Sequence, residues 1–279
     1  MKMMPNAAPN GRAGLRERMG QSRYAAFTAH FAVSTVVLAA VCAITFFLWY
    51  PQPYFSVDGT GNALRVLAAI FLGVGPLLTL VVFKPGKWGL KFDLYVIASL
   101  QLATLLYGTF MLYRGRPAFT VFAVDRFYVL SREDIVASQL ADRTLMASAR
   151  IGIQPDRGPL LVAALRPDDP IARDKLLTET LLEGQPDIER RPEFWTRYAN
   201  GVSDVLARAR PLSTLGAAAP KQTIASIAAG LGRPVTDLGY LPLVSRKHDF
   251  SMIVDLTNGR PVGVIDVDPW GTSTAATNR

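Results

Sequence analysis

The sequence is poor in the residues that build metal sites and nucleophilic active sites. Its 279 residues include one cysteine, Cys42, and two histidines, His30 and His248. A single cysteine excludes a disulfide within one chain, and so few thiols and imidazoles leave no cluster for a zinc site. The sequence also lacks the GxxxxGK[ST] and GxGxxG motifs that cradle phosphates. We therefore expect no catalytic residue, no metal and no cofactor.

Charged residues are also few and unevenly distributed. They make up 19% of the chain, whereas apolar residues make up 50%. Residues 1–113 carry nine Lys and Arg against three Asp and Glu, so they hold +6 of the net charge of +8. The basic excess thus accompanies the apolar half of the chain, which is typical of membrane topology. We expect a lipid bilayer as a partner and no nucleic acid.

Three uncharged apolar stretches are each long enough to cross a bilayer, which takes about 20 residues. They are Phe31–Tyr50, Val66–Phe83 and Leu94–Tyr113. The first has no small-residue cleavage site, so we interpret it as an uncleaved signal anchor. The sequence therefore predicts a cytoplasmic basic tail at residues 1–30, a three-helix transmembrane region at residues 31–113 and a globular domain at residues 114–279.

The basic residues also predict the orientation of the spans. The N-terminal tail contains five Lys and Arg and the loop Lys84–Lys91 contains three, whereas the loop Pro51–Asn62 contains none. Loops rich in Lys and Arg remain in the cytoplasm. We therefore expect a cytoplasmic N-terminus and an extracytoplasmic domain after Arg114.

The C-terminal domain reads as a mixed α+β unit that ends in an antiparallel meander. Three strands are predicted at its end, at Tyr240–Ser245, Phe250–Leu256 and Pro261–Val267, with Asn258 and Gly259 as a two-residue hairpin turn of positive φ. Earlier in the domain, a strand-like run continues from Ala118 to Leu130. Helices are predicted from Ser131 to about Arg143, at Ile171–Glu183 and at Pro192–Arg210.

Polar and small residues inside the spans are the best candidates for function, because polar groups are costly in lipid unless they are satisfied. The candidates for helix packing or partner contact are Gly73, Gly75, Pro76, Thr79 and Gln101. They either form hydrogen bonds within the three-helix bundle or line a seam for a partner's helix. A second candidate is the cytoplasmic loop with its flanks, Lys84, Pro85, Gly86, Lys87, Lys91 and Asp93. Its first role is to determine topology, and docking is the alternative.

Several motifs resemble the TfpX/TfpZ-type family of type IV pilin accessory proteins. They are Phe47–Pro51 (FLWYP), Gly75–Lys87 (GPLLTLVVFKPGK), Gly89–Leu94 (GLKFDL), Arg116-Pro117 and Asp268–Trp270 (DPW). The resemblance implies a multi-pass protein of the bacterial inner membrane with a periplasmic domain. It also implies a non-enzymatic, chaperone-like role in the stability, presentation or assembly of a type IV pilin subunit.

Two other classes of function compete with this interpretation. One is a membrane-anchored sensor whose periplasmic domain binds a ligand, although its cytoplasmic side has no room for an output domain. The other is an enzyme such as a pilin-modifying transferase or a protease. A serine hydrolase would have to use His248, and a membrane aspartyl protease would need Asp58 and Asp93, which the predicted topology places on opposite faces of the bilayer.

Overall fold

The protein divides into two compact units. The computed structural model describes residues 22–135, 159–217 and 221–270. One unit, which we call the span unit, comprises the residues up to Thr45 together with Gly61–Leu112. The other, the outer unit, comprises Phe46–Thr60 together with the residues from Tyr113 onward.

Three helices are long and apolar enough to cross a membrane: span 1 at Arg23–Trp49, span 2 at Thr60–Val82 and span 3 at Leu90–Arg114. The three predicted apolar runs are thus confirmed as helices of membrane-spanning length. Each helix begins before its apolar run, because polar residues extend its first turns. Span 1 starts at Arg23 rather than Phe31, where the Ser22 hydroxyl caps the helix by accepting from the Tyr24 N–H.

Spans 1 and 2 are interrupted by π-helical turns. Span 1 is α-helical from Arg23 to Ile44 and π-helical over Thr45–Trp49. Span 2 is α-helical over Thr60–Ala68, π-helical over Ala69–Val74 and α-helical again over Gly75–Val82. Such π turns are rare and are frequent at functional sites.

The segment between spans 1 and 2 folds into the outer unit. It forms one helical turn at Tyr54–Val57, and Val57 is completely buried in a core cluster of that unit. The Tyr54 hydroxyl lies 2.8 Å from Thr120 Oγ1, and the Ser245 hydroxyl donates to the Val57 carbonyl at 3.0 Å. This segment and the C-terminal residues therefore lie on the same side of any membrane that the spans cross.

The outer unit contains one eight-stranded sheet. Seven strands follow the order β4-β3-β1-β2-β6-β7-β8, and β5 pairs with β6 outside that path. The strands are β1 Pro117–Ala123, β2 Arg126–Ser131, β3 Leu160–Ala164, β4 Trp195–Arg197, β5 Arg210–Pro211, β6 Leu238–Val244, β7 Phe250–Asp255 and β8 Pro261–Ile265.

The sheet is mixed, and the predicted antiparallel meander forms only its last three strands. The last three strands do pair antiparallel in sequence order. However, β1 pairs parallel with β3, and β2 pairs parallel with β6. Parallel pairing requires long connections, and the described part of the chain between β2 and β6 contains three helices.

These helices are α1 Pro170–Leu181, α2 Val202–Arg208 and α3 Lys221–Gly230. Helix α1 confirms the predicted helix at Ile171–Glu183, and the Asp169 side chain caps it by accepting from the Ala172 N–H. The single helix predicted at Pro192–Arg210 is wrong. That segment holds a 3₁₀ turn, strand β4, a second 3₁₀ turn and α2, because Trp195 pairs with Ala164 at the edge of the sheet.

Two turns also differ from the sequence predictions. The run Ala118–Leu130 is a hairpin rather than one strand, because the chain reverses at Val124 between β1 and β2. The loop between β7 and β8 is longer than two residues. Only Gly259 has positive φ in it (+69°), whereas Asn258 uses its side chain to donate to Asp255.

The helix predicted from Ser131 lies mostly outside the described residues. Its first turn is a 3₁₀ turn at Arg132–Asp134, and the expected capping box joins Ser131 and Asp134.

Both faces of the sheet are covered. On one face, Phe119 and Val121 of β1 pack with Leu176 of α1. On the other, Phe122 packs with Val205 of α2, in the same cluster as Val57. This two-sided burial explains why β1 is continuously buried rather than alternating.

Candidate functional site

Three polar side chains from the three spans meet inside the span unit. His30 of span 1 places Nδ1 2.6 Å from Thr79 Oγ1 of span 2, and its Nε2 contacts Gln101 Oε1 of span 3. The amide nitrogen of Gln101 donates to the Phe71 carbonyl of span 2 at 3.0 Å. Each span is thus hydrogen-bonded to the other two. We call His30, Thr79 and Gln101 the polar triad.

The hydrogen-bond directions fix the roles of the groups. Because the Gln101 amide nitrogen donates to Phe71, the Gln101 oxygen is an acceptor and His30 Nε2 is its donor. In the neutral ring His30 Nδ1 then accepts from the Thr79 hydroxyl. The hydroxyl of Thr79, which is 3% exposed, shares its one proton between two acceptors, His30 Nδ1 at 2.6 Å and the Gly75 carbonyl at 3.2 Å.

The local structure of span 2 creates the acceptor for Gln101. In a π turn each carbonyl accepts from the N–H five residues onward. For Phe71 that residue is Pro76, which has no N–H. The Phe71 carbonyl is therefore available, and Gln101 satisfies it from the neighbouring helix, as is common where proline interrupts a helix in lipid.

Gly75 provides the space that Gln101 occupies. A Cβ atom built on Gly75 would lie 1.7 Å from Gln101 Nε2 and 2.2 Å from Gln101 Cδ. Only glycine at this position lets the amide approach the backbone of span 2. A second close approach joins the same two helices, where a Cβ on Gly108 would lie 2.9 Å from Leu67 Cδ1.

The structure therefore brings together Gly75, Thr79 and Gln101 of the predicted packing residues, with Pro76 buried beside them. Gly73 is not part of the group, because a Cβ there would meet nothing within 4 Å. Sequence reasoning missed His30. The predicted span begins at Phe31, which leaves His30 outside it, whereas the helix includes His30 with a half-buried imidazole.

The loop between spans 2 and 3 is exposed. Lys84, Pro85, Gly86 and Lys87 are all exposed, as is Lys91 at the start of span 3. Lys87 Nζ forms an ion pair with Asp93 at 2.5 Å, and Gly86 adopts a φ of +78° that favours glycine. Trp88, at 97% exposed, stands beside these lysines.

A charged cluster in the outer unit includes Asp58, which lies in the segment between spans 1 and 2. Arg246 donates to Asp134 at 2.9 Å and to the Ser131 hydroxyl. Burial acts to raise the pKa of Asp134, but hydrogen bonds from Ser131 and Arg246 hold it below its usual value. Burial raises the pKa of Asp58 to about 6, against the opposing charge of Arg246 and with a smaller contribution from Asp134.

The histidine of the outer unit is not arranged as the base of a serine nucleophile. His248 Nε2 lies 2.7 Å from Asp266 Oδ1, and its ring stacks on Phe250. The hydroxyl of nearby Ser245 donates to the carbonyls of Val57 and His248 instead of the ring. Among residues 22–135, 159–217 and 221–270, no group of three His, Cys, Asp or Glu side chains could hold a metal ion.

Comparison with known proteins relates the chain to fimbrial assembly. The family described as Fimbrial assembly protein FimB matches residues 18–59. A fimbrial assembly protein of serogroups C1 and C2 of Dichelobacter nodosus is 35% identical over 114 residues, which cover 40% of this chain and 86% of that relative. The chain belongs to the fimbrial assembly protein family.

The similarity to this family extends well beyond the spans. The fimbrial assembly protein of D. nodosus serogroup E1 is 28% identical over 247 residues, covering 86% of this chain and 93% of the relative. The serogroup I protein is also 28% identical, over 253 residues. No solved structure matches the chain. The expected link to surface fimbriae is thus confirmed at the level of the fimbrial assembly family.

Proposed function

We propose that the protein is a non-enzymatic, chaperone-like accessory of the bacterial inner membrane that supports a type IV pilin subunit, as the TfpX/TfpZ-type resemblance implies. The observation that carries the proposal is the similarity to fimbrial assembly proteins along 86% of the chain. It includes both units, so the supported function needs more than a membrane anchor.

The span unit supplies a surface for an apolar partner helix. Span 3 has only Ile97 and Leu112 buried, whereas Leu102 and Leu106 on its other side are 56% and 60% exposed. The polar triad joins span 3 to spans 1 and 2 on the side of span 3 opposite these leucines. The hydrogen bonds of the triad fix the position of span 3 against the other two helices, so the exposed face keeps one orientation. An apolar pilin helix in the same membrane could pack on this face through close contact.

The orientation that we propose has the N-terminus in the cytoplasm and the outer unit in the periplasm. It rests on the Lys and Arg residues of the N-terminal tail and of the Lys84–Lys91 loop. The loop Pro51–Asn62 has no Lys or Arg, and most of it folds into the outer unit. Reporter fusions should show periplasmic activity after Arg116 and cytoplasmic activity at Gly86. The reverse pattern would overturn the orientation.

The proposal is tested in a strain that lacks the native gene and carries variants with a photo-crosslinking amino acid. We expect the deletion to reduce surface fimbriae while the pilin transcript is unchanged. We expect a crosslink to the strain's own pilin subunit from Leu106, on the exposed face, and not from Ile97, which is 7% exposed. Normal fimbriae in the deletion strain would contradict the proposed function.

A further inference from the structure

A pocket of about 380 Å³ opens in the outer unit, which is within the range of ligand sites, about 300–1,000 Å³. It lies where the parallel strands β1 and β3 end, since Val124 follows β1 and Leu165 and Arg166 follow β3. Side chains of α1 and α2 complete its lining. In α/β sheets, ligands bind in the crevice outside the carboxyl ends of parallel strands.

Backbone strain is concentrated at the edge of this pocket. Val124 has a φ of +61°, which no other residue except glycine adopts within the described ranges 22–135, 159–217 and 221–270. The Asp125 N–H donates to the Ala123 carbonyl at 2.7 Å, so Val124 is the central residue of a γ-turn of the rare, strained form. A β-branched residue is poorly suited to this conformation. Strain of this kind persists mainly at ligand-binding and active sites.

The pocket carries a positive charge. Arg166, Arg173 and Arg208 line it together with Asp168 and Asp204. Arg173 is anchored by donating to the backbone carbonyls of Pro167 and Asp168. Neither Arg166 nor Arg208 forms a hydrogen bond or an ion pair within 4 Å among the described residues, although the charge of Arg208 acts on the Asp125 carboxylate. Their guanidinium groups are therefore free to bind a carboxylate, for which the planar fork of arginine is well shaped.

An apolar strip continues from the pocket along α1. Leu177 and Leu181 on this helix are 50% and 76% exposed. Leu177 lies one helical turn beyond Arg173, so the two side chains are neighbours on the helix surface. Leu181 lies a further four residues on, so Arg173, Leu177 and Leu181 form one line along α1 that leads away from the pocket.

We propose that the pocket and the strip together bind an acidic segment of the pilin subunit's extramembrane part. Carboxylates of the segment pair with Arg166 and Arg208, and its apolar side chains cover Leu177 and Leu181. A small free anion would account for the arginines but would leave the strip uncovered, which is why a polypeptide is favoured. This inference rests on the proposed function and adds a second contact to the one in the membrane.

The test uses the full chain in native membranes, with the photo-crosslinker at Leu177 or, in a parallel strain, at Leu106. We expect the Leu177 position to crosslink to the strain's pilin subunit. The double substitution Arg166→Glu with Arg208→Glu should reduce that crosslink by roughly tenfold, because two charge-assisted contacts are lost. Arg132→Glu reverses an exposed arginine outside the pocket and should leave the crosslink within about twofold.

The outcomes separate the inference from the proposed function. A Leu106 crosslink without a Leu177 crosslink would overturn the pocket and leave the membrane contact in place. The double substitution Arg166→Gln with Arg208→Gln is a milder form of the charge reversal. A Leu177 crosslink that persists in either double variant would also overturn the pocket proposal. Absence of a Leu177 crosslink, together with thermal stabilisation of the full chain in detergent by free succinate, would identify a small-anion site and contradict a polypeptide ligand. Absence of both crosslinks would refute the proposed function itself.

Discussion

The packing of Gln101 against Gly75 predicts that one added methyl group disrupts the span unit. In Gly75→Ala the new Cβ would fall 1.7 Å from Gln101 Nε2, so the amide must leave its place. Gln101 would then lose its hydrogen bonds to the Phe71 carbonyl and to His30. Interhelical hydrogen bonds in membranes contribute about 0.6–2 kcal/mol each. We therefore expect a destabilisation of about 1–3 kcal/mol.

Gly73 provides a matched control in the same helix. A Cβ there meets no atom within 4 Å, so Gly73→Ala should be neutral or slightly stabilising, since alanine is the better helix former. The free energy of unfolding of the full chain in detergent, measured by denaturant titration, gives the comparison. The reasoning is refuted if the two alanine variants have the same stability.

A double-mutant cycle identifies the cause. Gln101→Ala removes the side chain that the new methyl group would strike, so Gly75→Ala should cost much less in that background. The coupling between the two sites should be on the order of 1–2 kcal/mol. Simple additivity would show that Gly75 acts through something other than the amide of Gln101.

Two further predictions concern the outer unit. Gly259→Ala should lower the stability of the outer unit by more than Gly184→Ala does. Both glycines have a φ of +69°, but only at Gly259 would a Cβ crowd a neighbour, Val202 Cγ1 at 2.9 Å. Equal melting temperatures for the two variants would contradict this prediction. Asp58 has a folded pKa of about 6 against an ordinary 3.8, so its protonated form favours folding and that contribution is lost as the pH rises from about 4 to about 6. Asp58→Asn should therefore be more stable than the wild type at pH 7.5, and the difference should shrink towards pH 4. Thermal unfolding of the full chain measures both. A gain in stability that does not depend on pH would count against burial of Asp58 as the cause.

Much of the architecture follows from local patterns in the sequence. The three apolar runs predict the spans, because only helices of this length satisfy their backbone groups in lipid. Alternation and turn residues predict the last three strands to within about two residues of the structure, the usual error for element boundaries. The cap at Asp169 similarly predicts where α1 begins.

The remainder depends on contacts between residues distant in the sequence. Nothing in the segment around Val57 shows that it fills a core built some 70 residues later, at Phe127, and again at Leu243. The helical spacing in Pro192–Arg210 is real, but Trp195 pairs with Ala164 and tertiary packing overrides it. The turn at Val124 carries no Gly or Asn, so turn chemistry could not reveal it.

The candidate site was partly accessible to sequence reasoning. Thr79 and Gln101 stood out because polar residues are costly in a span, and Gly75 stood out as a close-packing residue. Their partner His30 lay just outside the apolar run and was therefore missed. The acceptor of Gln101 could not be foreseen either, since it depends on a π turn that places the Phe71 carbonyl opposite Pro76.

The most direct test of the account is to replace the membrane hairpin while keeping everything that belongs to the outer unit. Residues Gly61–Leu112 are exchanged for an unrelated helical hairpin of equal length with the same basic loop, and Phe46–Thr60 is retained because it completes the outer core. Surface fimbriae are measured in a strain lacking the native gene, with the level and insertion of the swapped protein checked by immunoblot and protease protection. We expect fimbriae to be lost although the protein is present and correctly inserted. A full yield of fimbriae would show that spans 2 and 3 only anchor the outer unit, and it would contradict a specific role for the span unit.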